Sequence, residues 1–204
     1  MPRVTPSACC DEEEQSVSEA IRIEAPMTEE TARSLRAGDR VLISGVVYTA
    51  RDAAHKRIVE ALEAGGELPF DLEGQIIYYV GPCPAKPGQA LGSCGPTTSG
   101  RMDPYTPAIL ARGLRGMIGK GSRSPAVVEA MKEHGAVYFA AIGGAGALAA
   151  KRVRKAELVA YEDLGPEAVR RLEVEDFPAV VCIDTLGNNL YEAGRAKFAR
   201  TDRG

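Results

Sequence analysis

No stretch of this sequence approaches the roughly 18 apolar residues that a membrane span needs. The opening MPRVTPSACCDEEE also lacks the apolar segment of a secretory signal peptide. A soluble, cytoplasmic protein is expected. Histidine is scarce: there are two, His55 and His134, and no HxH or HxxxH pair. Five cysteines, at positions 9, 10, 83, 94 and 182, fit neither zinc-finger nor thioredoxin-like spacing. Their odd number, in a chain too large to need disulfide staples, points to reduced thiols. No metal site complete within the chain is expected. Excess positive charge is also lacking: the net charge is −3, so the totals offer no basic surface for nucleic acid. Internal repeats are not apparent.

What is present is the mix of an ordinary globular protein, 45% hydrophobic and 26% charged, which excludes a disordered chain. Its 204 residues leave room for one large domain or two small ones. Residues 1–20 read as a flexible N-terminal tail, with two adjacent cysteines and the acidic run Asp11–Glu14. Residues 21–204 read as a single domain of α/β class with one core. Thr28 is placed to cap a short helix with acids in its first turn. Val41–Tyr48 is β-branched and predicts a buried strand. The segment from Arg51 to Gly65 predicts a helix, with Ala54, Ile58, Ala61 and Leu62 on one face. Ile76–Val80 predicts another strand, its Tyr78 and Tyr79 half core and half surface.

Residues 81–107 are crowded with proline and glycine, which excludes a long helix or a central strand there. Beyond them the pattern becomes regular. A helix capped by Thr106 with Pro107 at its first position is followed by a strand from Gly116 and a helix from Ser124–Pro125 to His134. Strands are expected over Val137–Ile142, Leu158–Tyr161 and Ala179–Asp184. Helices are expected over Gly143–Ala150, Pro166–Leu172 and the last segment through Phe198.

Three places carry candidate chemistry. Gly95-Pro96-Thr97-Thr98-Ser99-Gly100-Arg101 joins three hydroxyls, two glycines and a guanidinium, a plausible anion cradle. It does not meet the GxxxxGK[ST] spacing of a phosphate loop, and a polar turn with a surface-paired arginine is the plainer reading. Lys120, between Gly119 and Gly121, is a point charge on open backbone that also fits a decorated turn. Arg51 opens a helix after a buried strand, where α/β folds place ligand-binding side chains, and His55 shares its helical face. A salt-bridged helix terminus is the plainer reading there. Together these residues supply three cations and a hydroxyl cluster but no nucleophile–base pair. That profile suits a small dianion, and a partner would have to supply the electrophile.

Several of these strings closely resemble class I fumarate hydratases. They are Thr49-Ala50-Arg51-Asp52-Ala53-Ala54-His55-Lys56-Arg57, Tyr79-Val80-Gly81-Pro82 and Gly95-Pro96-Thr97-Thr98-Ser99-Gly100-Arg101-Met102-Asp103. Ile118-Gly119-Lys120-Gly121, Val137-Tyr138-Phe139-Ala140-Ala141-Ile142-Gly143-Gly144 and Val174-Glu175-Asp176-Phe177-Pro178 belong to the same resemblance. It covers about residues 21–200, in the family's order, and is to the β subunit, or to the C-terminal domain of single-chain members.

The resemblance implies a swivelling β/β/α domain, with mixed sheet layers and helices packed on one side. Such a domain closes over an α subunit whose three cysteines bind a [4Fe-4S] cluster, so Cys83, Cys94 and Cys182 are not cluster ligands. Carried over by position, Arg51 and Arg101 hold the substrate carboxylates and Lys120 helps bind substrate. Thr97 handles a proton at the reacting carbon, with Thr98 a rival, and His55 supports, orienting Arg51. The implied reaction is the reversible hydration of fumarate to malate, with this chain active only beside the cluster-bearing α subunit. The β subunit of L-tartrate dehydratase is the alternative within the family. A non-catalytic dicarboxylate-binding or interaction module is the alternative outside it.

Overall fold

The computed structural model describes residues 19–199. The tail read over residues 1–20, with Cys9 and Cys10, lies outside them apart from its last two residues. In chain order the elements are β1 (Ile21–Ala25), α1 (Glu29–Ser34), β2 (Arg40–Thr49), α2 (Asp52–Glu63), β3 (Ile76–Tyr78), α3 (Thr106–Leu110), β4 (Gly116–Gly119), α4 (Pro125–His134), β5 (Val137–Ala140), α5 (Gly146–Ala150), β6 (Val153–Ala160), β7 (Val169–Ile183) and α6 (Leu190–Phe198). Short 3-10 turns occupy Ser99–Arg101 and Glu162–Glu167.

The strands form one mixed sheet in the order β1-β2-β3-β4-β5-β7-β6. Strand β2 pairs in parallel with β3 and antiparallel with β7, so β2, β3, β4, β5 and β7 close on themselves as a five-stranded barrel. Closure removes the free edges of those strands, leaving β1 and β6 as outriggers. Because β2, β3, β4 and β5 run parallel, their C-terminal ends meet at one rim.

Period-two alternation splits the apolar residues between two layers. Ile76, Tyr78, Ile118, Val137 and Phe139 point into the barrel, where Ala32 of α1 and Leu35 just after it join them. Ile77, Tyr79, Met117 and Tyr138 point outward under α2, α3 and α4. The expected single core is therefore two, one on each face of the sheet. Strands buried on both faces carry apolar residues at every position rather than alternating with polar ones. That is also why Tyr78 and Tyr79 are both fully buried, instead of half core and half surface. On α2, Ile58 is wholly enclosed and its burial is worth about 1.5–3 kcal/mol.

Local signals act as read at several helix ends. Thr28 Oγ1 accepts from Thr31 N–H at 3.1 Å at the start of α1. Ser124 caps α4, with Pro125 in its first turn. At α3 the cap is displaced: Thr106 lies inside the helix, and its hydroxyl donates to the Met102 carbonyl at 2.9 Å.

The main correction is at Pro166–Leu172. Only the turn Glu162–Glu167 coils there, and from Val169 the chain is β7, a 15-residue strand that absorbs the expected Ala179–Asp184 strand up to Ile183. Pro166-Glu167-Ala168 imitates a helix start, but Val169, Leu172 and Val174 are buried where β7 pairs with β2 on one side and β6 on the other. Tertiary pairing overrides the local signal. Strand β6 is longer than expected, and the small-residue helix is confined to Gly146–Ala150. No helix among the described residues is long and apolar enough to cross a membrane.

Candidate active site

The rim at the C-terminal ends of β2, β3 and β4 gathers the candidate residues. Arg51 follows β2 and sits at the N-cap of α2. The chain leaving β3 passes Gly81, whose missing side chain matters: a Cβ there would lie 2.9 Å from Arg51 Nη1. Residues 97–99 then re-enter between β3 and β4 as a short extended stretch. Thr97 N–H donates to the Tyr79 carbonyl at 2.7 Å, Lys120 N–H to the Thr97 carbonyl at 3.3 Å, and Ser99 N–H to the Lys120 carbonyl at 2.9 Å. This ladder sets Thr98 opposite Lys120. The turn Ser99–Arg101 follows directly and carries Arg101 outward.

Acids occupy the two arginines. Arg51 Nη2 lies 3.0 Å from Glu167 and Arg51 Nε 3.6 Å from Asp52, while Arg101 Nη1 is 3.8 Å from the other oxygen of Asp52. Glu167 also accepts from the Ala53 N–H at 3.4 Å, in the first turn of α2, where the helix dipole favours an anion. Arg51 Nε and one Asp52 oxygen are buried without a hydrogen-bond partner, so the grouping has bonding capacity to spare. Arg101 is 56% exposed, which leaves its guanidinium open to a ligand. Asp52 neighbours Arg51 in sequence and could have been singled out. Glu167 arrives from the far side of β6 and left no signal.

The hydroxyl cluster is smaller than its sequence suggests. Thr98 is exposed and Thr97 half-buried, but Ser99 is fully buried and its hydroxyl lies 2.9 Å from that of Tyr138. A Cβ at Gly119 would run into Ser99 Oγ, so this glycine is what admits the buried serine. The N–H groups of Thr97 and Ser99 are spent in the ladder and are not free to bind an anion, which leaves the threonine hydroxyls and the Arg101 guanidinium. Lys120 is exposed, and its aliphatic stem passes Gly143 of the loop after β5.

His55 lies beneath the rim, 1% exposed, with Nδ1 2.9 Å from the Arg51 carbonyl and its ring edge-on to Tyr79 at 5.2 Å. A carbonyl only accepts, so Nδ1 carries the proton and Nε2, buried without a partner, does not. Burial holds its pKa down at about 4, so the imidazole is neutral. Sequence reasoning missed Arg123 altogether. Its side chain is fully buried, donating to Asp103 at 2.7 Å, to Tyr79 Oη at 3.3 Å and to Thr106 at 2.8 Å. It also lies over the rings of Tyr79 and Tyr138. Burial alone would lower its pKa, but Tyr79 and Asp103 outweigh that and raise it.

Among the described residues no three His, Cys, Asp or Glu side chains gather as a metal site. Cys94 and Cys182 are buried in different cores and Cys83 is exposed, all as free thiols. Burial pushes the Cys94 and Cys182 thiols up to about 11, so neither is a ready thiolate.

A closed mixed barrel whose parallel strands end in an open rim of arginine, lysine and threonine defines an α/β domain with a cationic rim. The profile of the family described as Fumarase C-terminus matches residues 2–194, and the chain belongs to that family. It is 41% identical over 155 residues to the anaerobic class I fumarate hydratase of Escherichia coli, covering 75% of this chain and 28% of that protein. Fumarate hydratase 2 of Leishmania major is 42% identical over 156 residues, 76% of this chain and 28% of its own length. The protein named "Putative L(+)-tartrate dehydratase subunit beta" in Methanocaldococcus jannaschii is 40% identical over 172 residues, 81% of this chain and 88% of its own length. The chain thus spans less than a third of those fumarate hydratases.

Proposed function

We propose that the chain is the β part of an iron–sulfur hydro-lyase that reversibly hydrates fumarate to malate. The observation that carries the reading is the meeting of Arg51, Arg101, Lys120 and the two threonines at one barrel rim. The relatives support a part that works beside a second part, since the chain corresponds to a fraction of the fumarate hydratases and to nearly all of a β subunit. In this reading the domain swivels onto a cytoplasmic α subunit, which holds the [4Fe-4S] cluster. In the same reading this chain does the substrate-handling work, and its described cysteines, Cys83, Cys94 and Cys182, stay free thiols.

That work divides by chemistry. Arg51 and Arg101 grip the two carboxylates by their planar forks, exchanging Asp52 and Glu167 for substrate oxygens, and Lys120 adds a point charge. The same cations stabilise the charge that builds on a carboxylate when the adjacent carbon gains or loses a proton. Thr97 holds that proton at its hydroxyl. The surrounding positive charge lowers the otherwise high pKa of the hydroxyl in the closed complex, and Thr98 is the rival for the role. His55 keeps Arg51 in place through its carbonyl.

The test is alanine substitution of Arg51, Arg101 and Lys120 in the assembled enzyme, each lowering kcat/KM for fumarate by about 100-fold or more. Full activity in all three variants would remove the rim from the mechanism. The relative named as a tartrate dehydratase β subunit motivates the second reading, the same chemistry on L-tartrate. Turnover of tartrate with none of fumarate would select it.

A further inference from the structure

Arg123 lies outside every one of those motifs, yet among the described residues it is the one cation whose side chain is wholly enclosed beneath the rim. Burying a charge is costly unless it is paired and hydrogen-bonded, and each of the three nitrogens of this guanidinium finds a partner. Nε meets Asp103, whose other oxygen accepts from Ser124 N–H at 2.6 Å. Nη2 donates to Thr106 Oγ1, and that hydroxyl donates onward to the Met102 carbonyl. Met102 and Asp103 directly follow the turn that presents Arg101. Nη1 reaches Tyr79 Oη, and it is the Tyr79 carbonyl that fixes Thr97.

We infer that Arg123 is the positioning residue of the rim, locking the Arg101 turn through Asp103 and the Thr97 stretch through Tyr79. The inference rests on the proposed function in that it takes Arg101 and Thr97 as the groups being positioned. Lysine in its place keeps the charge but has no planar fork, so it cannot hold Asp103, Thr106 and Tyr79 together. Arg101 and Thr97 then lose their mutual placement, and misplacement by an ångström is enough to cost about 100-fold in rate.

The experiment compares Arg123→Lys in the assembled enzyme in two backgrounds, native and Arg101→Lys. The expected result is a loss of about 10–100-fold in kcat/KM in the native background and a clearly smaller loss once Arg101 is already altered. Equal losses in the two backgrounds would make Arg123 a purely structural residue and overturn the inference. A second readout does not depend on turnover. In the full chain labelled with nitrogen-15, Arg123→Lys should shift the amides of Thr97, Ser99 and Arg101 while leaving those of β6 in place. Unchanged rim amides would also overturn it. Should Arg123→Lys fail to fold, Tyr79→Phe deletes a single bond and is put through both measurements, with the same decisive outcomes. An enzyme inactive on every dicarboxylate would sink the proposed function alone, and the amide shifts would still decide the role of Arg123.

Discussion

His55 makes the domain acid-sensitive by a calculable amount. Its imidazole is enclosed and neutral, with a pKa held at about 4 against an ordinary value of 6.5. Burial is the leading cause, and the nearby Arg123 charge adds to it, while the bond to the Arg51 carbonyl and the Asp52 charge oppose it. Between those two pH values the unfolded chain takes up a proton that the folded chain refuses, so acid favours unfolding. The contribution of His55 is complete above pH 6.5 and is lost as pH falls toward 4. At about 1.4 kcal/mol per pH unit, the loss by pH 4 is about 3 kcal/mol. The assay is urea unfolding followed by circular dichroism at several pH values, for the native chain and for His55→Asn. Asparagine keeps a donor for the Arg51 carbonyl but does not titrate. Carboxylates titrate alike in both proteins, so the difference between the two pH profiles isolates the histidine. Parallel profiles would refute both its neutrality and its burial.

Three further expectations follow from the same contacts. Asp103→Ala leaves Arg123 buried without its counter-ion and should destabilise the domain by about 3–5 kcal/mol in denaturant unfolding. Gly119→Ala drives a methyl group into Ser99 and should cost about 1–3 kcal/mol, which Ser99→Gly in the same chain should partly restore. Arg101→Ala removes an exposed side chain whose ion pair is long, so stability should change by less than about 0.5 kcal/mol while activity of the complex is lost. Loss of assembly instead would make Arg101 structural.

The elements read most easily in the sequence were those whose signals are local. The caps at Thr28 and Ser124, the β-branched run of β2 and the buried face of α2 all depend on residues a few positions apart. Strand β7 was misread because its identity comes from its pairing with β6 before it and with β2, which is distant in sequence. Barrel closure is likewise a property of the β2–β7 pairing and of no single segment. At the rim, Thr97, Arg101 and Lys120 stood out because glycine and proline lie beside them, and Arg51 because it opens a helix after a buried strand. Ser99 stood out for the same reason, although its hydroxyl is buried against Tyr138. Glu167 and Arg123 stayed hidden, since nothing near them in sequence marks a residue that reaches Arg51 from beyond β6 or lies beneath the rim.

The most direct measurement is an anaerobic fumarate hydration assay of the purified chain, alone and mixed with a cluster-bearing α subunit. The account predicts no turnover from the chain alone and malate formation in the mixture. Malate formed by the chain alone would contradict the proposed division of labour, and a mixture inactive on fumarate, tartrate and every other dicarboxylate would contradict the hydro-lyase itself.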